Sequence, residues 1–270
     1  MDRSQAGKLI AGGELGENAP VPQLGHRSRS PIALLLACAA LAALAPGAGA
    51  AERSLIGRSL QGRPLVALHV AAPDPALRVL VIGCIHGNET AGIPIARQLA
   101  RRAAPARTDL WVVPTINPDG IAAGTRGNAR GVDLNRNFPF HWAHLGGLEY
   151  SGTGPLSEPE SSAAARLIRR LRPDLTIWFH QPLDLVDRSG GDPFVERRFA
   201  DLTGLPLVQL SRYPGSATSW QNHTQRPTTA FVVELPHAPG AALTARATGA
   251  VRSLAAELAS PAVGDNRGAS

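Results

Sequence analysis

Four ionisable side chains, widely separated in the chain, are of the types that build a hydrolytic metal site. His86 and Glu89 form an HxxE pair, and His180 lies far downstream. Two histidines and one carboxylate supply three ligands of a tetrahedral zinc ion, and a catalytic site keeps the fourth position open for water. Glu234, in an otherwise apolar segment, is a candidate for the carboxylate that takes a proton from this water.

An HxxE pair alone is a weak signal, because a surface histidine and a helix-cap glutamate often give the same pattern. The surrounding elements strengthen it. His86 directly follows a strand predicted over residues 77–84, and His180 ends a strand predicted over residues 174–180. Ligands at the carboxyl ends of strands lie where open α/β sheets bind their ligands, so we expect these residues to meet.

Apolar strands alternate with helical segments along the chain. We predict strands at 64–70, 77–84, 109–116, 174–180 and 229–235, and helices at 88–102, 158–172 and 240–258. Asn88 is the predicted N-cap of the first helix, and Ser157 with Glu160 forms a predicted capping box at the second. Residues 117–155 and 181–222 are predicted to be irregular. The alternation predicts an α/β fold, a three-layer α/β/α sandwich with a mixed, largely parallel central sheet.

Six segments also occur in the order found in zinc carboxypeptidases. The chain resembles that family over roughly residues 55–258, and within it the compact bacterial branch of murein peptide amidases. The segments are His86-Gly87-Asn88-Glu89, Asn117-Pro118-Asp119-Gly120, Gly131-Val132-Asp133-Leu134-Asn135-Arg136-Asn137-Phe138-Pro139, Leu156-Ser157-Glu158-Pro159-Glu160, His180 and the strand of Glu234.

The resemblance implies a catalytic site around one Zn²⁺ per chain. His86, Glu89 and His180 would be its ligands. Glu234 would be the general base, which takes a proton from water and passes it to the leaving amine. The expected fold is that of the carboxypeptidases, in a compact form.

Further residues match family positions that contact the substrate. Arg126 would polarise the scissile carbonyl, and Arg130 is a nearby alternative for this role. Asn135 and Arg136 would bind a free C-terminal carboxylate, for which a guanidinium offers a bidentate fork. Tyr213 would close over the substrate, with packing within its loop as the alternative.

The expected activity is that of a zinc metallocarboxypeptidase that hydrolyses a C-terminal peptide or amide bond. The partner is a peptide with a free C-terminal carboxylate, such as a muropeptide cleaved at the γ-D-glutamyl–diaminopimelate bond. Thr218 and Ser219, at positions that set specificity in similar enzymes, are neither apolar nor charged, which suits a zwitterionic side chain. Asp184 and Asp187 could meet an amine on it or belong to a solvated loop.

Two alternatives stay open. Aspartoacylases and succinylglutamate desuccinylases are zinc deacylases of N-acyl amino acids that share the His-Gly-Asn-Glu and Asp-Leu-Asn-Arg segments, although the other segments favour the peptidase. A non-catalytic cell-wall binding module on the same scaffold is the second. The net charge of +6 favours acidic partners, and no run of basic residues with interleaved aromatics indicates a nucleic-acid partner.

Residues 1–50 have the pattern of a secretory leader. A basic flank precedes the apolar run 31–44, and Ala48-Gly49-Ala50 offers a cleavage site. The run is shorter than the roughly 20 residues of a membrane span. We therefore predict a secreted, periplasmic or cell-wall-associated catalytic domain at 51–260 with a disordered tail at 261–270, and an uncleaved membrane anchor as the alternative.

Overall fold

The computed structural model describes residues 51–261, in which eight strands form one mixed sheet. The strands are β1 (Glu52–Arg58), β2 (Pro64–Ala71), β3 (Leu77–Ile82), β4 (Thr108–Val113), β5 (Leu175–His180), β6 (Leu183–Asp187), β7 (Leu207–Val208) and β8 (Thr229–Pro236). Their order across the sheet is β1-β2-β4-β3-β5-β8-β6-β7. The pairs β3–β4, β3–β5, β5–β8 and β6–β7 are parallel, and the remaining pairs are antiparallel.

Helices cover both faces of this sheet. They are α1 (Gly92–Ala100), α2 (Pro118–Ala123), α3 (Pro159–Leu171), α4 (Pro193–Thr203), α5 (Ala217–Thr224) and α6 (Ala241–Leu258). Helices α1, α4 and α6 bury Leu99, Phe199 and Val251 against one face. Helices α3 and α5 bury Ile168 and Trp220 against the other. The predicted three-layer α/β/α sandwich with its largely parallel sheet is therefore confirmed.

The predicted strands and long helices are present with shifted ends, but the prediction of an irregular region at 181–222 is wrong. It contains β6, α4, β7 and α5. Polar residues interrupt the apolar pattern of α4, and α5 (Ala-Thr-Ser-Trp-Gln-Asn-His-Thr) has few apolar residues. Their folding depends on packing against the sheet, which local periodicity does not record. Strand β1 and helix α2 are also additional to the prediction.

The start of α1 differs from the prediction. The helix begins at Gly92, so Asn88 is not its N-cap. Glu89 lies in the preceding turn, where its N–H donates to the carbonyl of His86 at 3.0 Å. Pro94 is then in the first helical turn, where the backbone N–H groups have no partner within the helix and its loss costs little.

The capping box predicted for α3 is also absent. Glu158 is the N-cap residue and makes no side-chain capping bond. Glu160 instead accepts hydrogen bonds from the N–H of Leu60 at 2.8 Å and from Asn128 Nδ2 at 3.1 Å. The Glu160 carboxylate, which we expected to cap a helix, therefore joins the turn after β1 to the loop that contains Asn128.

The sheet order places three predicted site residues at the carboxyl-terminal ends of neighbouring central strands. Strands β3, β5 and β8 are consecutive parallel neighbours, so their carboxyl ends meet there. His86 follows β3, and His180 of β5 is the register partner of Glu234 on β8. After β3 the chain continues to β4, which is the neighbour of β3 on one side in the sheet. The neighbour of β3 on its other side is β5. This change of direction creates the crevice in which α/β sheets bind ligands.

Asp119 stabilises the turn between β1 and β2, since it accepts hydrogen bonds from Ser59 Oγ at 2.7 Å, Gln61 N–H at 2.9 Å and Arg63 at 2.6 Å. Burial raises the pKa of this carboxyl, but these hydrogen bonds outweigh it and hold the pKa below its usual value.

Replacing Asp119 by Asn should lower the free energy of unfolding by about 2 kcal/mol at pH 7. A depressed folded-state pKa stabilises the fold above the unfolded-state pKa of about 3.9, and this contribution disappears as the pH falls through the folded-state value. Urea unfolding of both proteins should therefore show a difference that narrows below pH 4. A difference independent of pH would contradict the ionised hydrogen-bonded carboxylate.

Within residues 51–261, no helix combines the length and apolar character that a membrane crossing requires. The predicted leader at 1–50 and all but the first residue of the predicted tail lie outside the described residues.

Candidate active site

The three predicted zinc ligands converge on one point. One ligand atom from each of His86, Glu89 and His180 lies within 4.8 Å of the others, and all three side chains are buried. Glu89 Oε2 is 2.9 Å from His86 Nδ1 and 3.1 Å from His180 Nδ1. Two imidazole nitrogens and one carboxylate oxygen in this arrangement fit three corners of a zinc tetrahedron.

Gln181 fixes the carboxylate member of this set, although no sequence pattern pointed to it. Its N–H donates to Glu89 Oε2 at 3.2 Å, and its side-chain oxygen accepts from Ala91 N–H at 2.9 Å. Its Nε2 donates to the carbonyls of Pro236 and His237. Burial raises the pKa of Glu89, but the hydrogen bonds and charges of the two histidines outweigh it, so the pKa lies well below its usual value.

Asp133 orients His86 through the ring nitrogen that does not face the metal position. This fully buried carboxylate accepts from His86 Nε2 at 3.0 Å, which leaves Nδ1 for the metal. It also accepts from Asn135 N–H at 2.8 Å and from the guanidinium of Arg126 at 2.9 Å. Burial raises the pKa of Asp133, but His86 and Arg126 hold it well below its usual value. The position of Asp133 in the sequence alone does not indicate this role.

Replacing Asp133 by Asn should weaken zinc binding by about 10- to 100-fold, because the partners behind a metal ligand set its tautomer and basicity. Competition with a zinc chelator, followed by elemental analysis of the protein, measures this affinity. Zinc binding at the wild-type affinity would show that Asp133 does not hold His86 for the metal.

Glu234 lies beside the ligands and accepts a hydrogen bond from the N–H of Leu183. Its Oε2 is buried and makes no hydrogen bond within the described residues. Burial raises the pKa of this carboxyl; the charge of His180 opposes the shift, and that of Glu89 adds to it, with a net result above the usual value. A buried, unpartnered carboxylate oxygen next to a metal position is what the activation of a water molecule requires.

The structure separates the two arginines proposed for the scissile carbonyl. Arg126 lines the cavity beside the ligands, and its guanidinium is 2.9 Å from Glu89 Oε1. Arg130 is half exposed, pairs with Glu158 at 3.4 Å and is not among the cavity residues. The geometry therefore favours Arg126, whose role stays a prediction.

Two asparagines hold the loop that carries Arg126. Asn117 donates to the carbonyl of Ile85 at 3.0 Å and to that of Arg126 at 3.2 Å, which ties this loop to the segment before His86. Asn128 closes the loop from within, since its Oδ1 accepts from the N–H groups of residues 130 and 132. The Asn-Pro-Asp-Gly segment therefore positions the loop of Arg126 through Asn117 and supplies no metal ligand itself.

The residues predicted to bind a substrate carboxylate lie on a second wall of the same cavity. Arg136 is buried, pairs with Glu149 at 2.9 Å, and has an Nε without a partner in the described residues. The ring of Tyr213 covers its guanidinium at 4.0 Å. The Asn135 oxygen accepts from Ala217 N–H at 2.9 Å, so its NH₂ group is the one available to a ligand.

Gly215 brings the segment of Tyr213 onto that of Arg136. It adopts a left-handed conformation with φ of 68°, and a Cβ at this position would lie 2.2 Å from the Arg136 carbonyl oxygen. Backbone hydrogen bonds from Phe138 N–H to Gly215 and from Gly215 N–H to Phe140 join the segments. Only glycine permits both this conformation and this approach.

The remaining sequence candidates divide clearly. Asp187 is buried and lines the cavity with Thr218 and Ser219, whereas Asp184 is exposed and lies outside it. Cys84 is buried, its thiol donates to the carbonyl of His86 at 3.1 Å, and burial raises its pKa to about 12. A buried thiol with a raised pKa is unreactive and has a packing role.

These groups share one cavity of about 360 Å³. One end of the cavity holds Glu234, Arg126 and the three predicted metal ligands. The other end holds Arg136 and Tyr213. The arrangement can hold a peptide by a carboxylate while a neighbouring bond lies between a metal position and a buried base.

Comparisons with known proteins identify relatives of this chain. A model of the zinc carboxypeptidase family matches residues 39–186. Murein peptide amidase A of Escherichia coli K12 is 34% identical over 180 residues, which cover 61% of this chain and 74% of that protein.

Two solved structures resemble the chain in three dimensions. The murein-tripeptide amidase of Escherichia coli O157 superposes with a TM-score of 0.62 at 28% identity, covering 76% of this chain and 91% of that one. Carboxypeptidase A of Helicoverpa armigera gives a TM-score of 0.66 at 18% identity, covering 78% and 69% of the two chains. At that identity the second likeness concerns the fold alone.

Proposed function

Because this chain belongs to the zinc carboxypeptidase family, we propose that it is a metallocarboxypeptidase that hydrolyses the peptide or amide bond before a C-terminal residue. The observation that carries this proposal is the buried Arg136, which shares one cavity with the three metal ligands and Glu234. A guanidinium at this place, with an Nε that has no partner among residues 51–261, is suited to a carboxylate.

The proposed substrate is a murein peptide, cleaved at its γ-D-glutamyl–diaminopimelate bond. Similarity to murein peptide amidase A over 74% of that protein supports this class of substrate. The predicted secretory leader, with export to the periplasm or cell wall, would bring the enzyme to it. The positive net charge favours approach of an anionic peptide.

In the proposed mechanism, His86, Glu89 and His180 would hold one zinc ion, which would act as a Lewis acid and lower the pKa of a water molecule toward ~7. Arg136 and Asn135 bind the terminal carboxylate of the substrate, and Tyr213 closes over it. Binding at these residues holds the preceding peptide bond between Arg126 and Glu234. The reacting groups are then already in position, which removes the entropy cost of bringing them together.

Glu234 then moves the proton. Its Oε2, which makes no hydrogen bond within the described part of the chain, accepts a proton from the attacking water. The carboxylic acid formed then donates that proton to the leaving nitrogen. A pKa raised by burial makes this carboxyl a better base and suits both steps. Arg126 donates hydrogen bonds to the oxygen on which negative charge develops.

A peptide assay with mass-spectrometric readout tests the proposed function. The purified protein, with its zinc content measured by elemental analysis, is incubated with L-alanyl-γ-D-glutamyl-diaminopimelate and separately with N-acyl amino acids. Release of free diaminopimelate from the first substrate alone is the expected result. Cleavage of the N-acyl amino acids alone would favour the deacylase, and zinc-loaded protein without any turnover would favour the binding module.

A further inference from the structure

An ion pair in the cavity has no part in the mechanism above. Arg212 donates to Asp187 Oδ2 at 2.9 Å, and both side chains line the cavity. Asp187 ends β6, whereas Arg212 belongs to the segment before α5. The pair therefore joins two parts of the cavity wall that neither the metal ligands nor the carboxylate-binding residues occupy.

The sheet register shows how far this pair lies from the reacting groups. Leu185 of β6 is opposite Glu234 of β8, and Asp187 points to the same face as Leu185 two residues further on. That step along a strand is about 7 Å. Val232 lines the cavity on the same face of β8 as Glu234. Asp187 thus lies on the face of the sheet that carries Glu234, about 7 Å from it along the strand direction.

Arg212 is also next to the carboxylate-binding end of the cavity. It directly precedes Tyr213, whose ring covers Arg136. A substrate residue with its carboxylate on Arg136 and its amide nitrogen near Glu234 would extend its side chain along this wall. Its distal groups would then reach Asp187 and Arg212.

Asp187 is held rigidly. Only 6% of its side chain is exposed, and it accepts hydrogen bonds from Leu210 N–H and Ser189 Oγ at 2.8 and 2.7 Å. The Arg212 side chain is 39% exposed, and its other guanidinium N–H groups have no partner among residues 51–261. The Asp187 carboxylate is therefore fixed within the cavity wall, and the Arg212 guanidinium keeps N–H donors that a ligand can use.

We propose that Asp187 and Arg212 form a subsite for a side chain that ends in both an ammonium and a carboxylate, as that of diaminopimelate does. This inference rests on the proposed function. Asp187 receives the ammonium and Arg212 the carboxylate, so that each charge of the pair keeps an opposite partner.

The same pair disfavours other side chains. A side chain with a single charge compensates one member of the pair and competes with the other, and an apolar side chain removes water from both without a new hydrogen bond. Sites built to pair with polar groups reject analogues that lack them, because the protein groups are left unpaired. The subsite therefore selects the zwitterion by the balance of its charges.

The test compares two peptides that differ in one group. They are L-alanyl-γ-D-glutamyl peptides ending in diaminopimelate or in lysine, which lacks the distal carboxylate. Arg212→Gln should lower kcat/KM for the first peptide by about 30- to 100-fold and change that for the second by less than about 3-fold. The matched control, Arg188→Gln, replaces an exposed arginine outside the cavity and should retain both values.

Asp187→Asn provides a second variant, assayed with a peptide ending in 2-aminopimelate, which lacks the distal amine. The variant should lose most of the preference for diaminopimelate over this analogue. Equal losses on all peptides would overturn the subsite, and so would unchanged preferences in both variants. If the wild type releases every C-terminal residue equally well, the subsite fails while the carboxypeptidase function stands. If it releases none, the proposed function itself is wrong.

Discussion

Glu234→Gln should lower kcat by about 10⁴-fold while the protein still binds one zinc ion. The amide is close in shape to the carboxylate, but it cannot accept a proton from water or donate one to the leaving nitrogen. Since Glu234 is not among the three converging ligand atoms, its loss leaves the metal site intact. Single-turnover kinetics and elemental analysis on the same sample separate these two effects.

Asp184→Asn is the matched control for this substitution. Asp184 is exposed, lies outside the cavity and has φ of 55°, a conformation that asparagine adopts readily. This variant should keep the wild-type kcat. If the Glu234→Gln variant retained a tenth or more of the activity, another group would have to move the proton, and the mechanism would be wrong.

Arg136→Gln should lower kcat/KM by about 1000-fold for a peptide with a free C-terminal carboxylate. The substitution removes the buried guanidinium that would pair with this carboxylate, so the substrate charge would enter the cavity without compensation. Wild-type enzyme should lose a similar factor on the same peptide with an amidated C-terminus, because the complementary charge is then missing from the substrate.

Combining both changes measures the interaction directly. The variant should cleave the amidated peptide nearly as well as the wild type does, since the contact is already absent. A full additional loss would mean that Arg136 acts through the fold, for example through its ion pair with Glu149. Thermal unfolding of the variant provides the corresponding check on stability.

The metal ligands could be predicted because their positions follow from chain direction. His86 and His180 come at the carboxyl ends of apolar segments, and parallel strands bring such ends to one edge. Glu234 was recognisable because a carboxylate inside an apolar strand is costly unless it has a task. Each signal is local, and the sheet topology that combines them is common to this class of fold.

The residues that position the site were not predictable in the same way. Gln181 and Arg212 lie in the region that showed no periodicity, and their contacts reach residues distant in the chain. Nothing in the spacing of Asp133 indicates that it lies behind His86 rather than on the surface. Such roles arise from tertiary contacts between loops, and the sequence shows the loops only as polar segments.

One chain of hydrogen bonds runs from the first hairpin to the active site. The N–H of Leu60, in the turn after β1, donates to Glu160, which accepts from Asn128, and Asn128 closes the loop that carries Arg126. The β1–β2 hairpin therefore supports the loop of Arg126, although its strands lie at one end of the strand order. A recombinant version of the protein that lacks the hairpin would lose this support and still contain His86, Glu89 and His180.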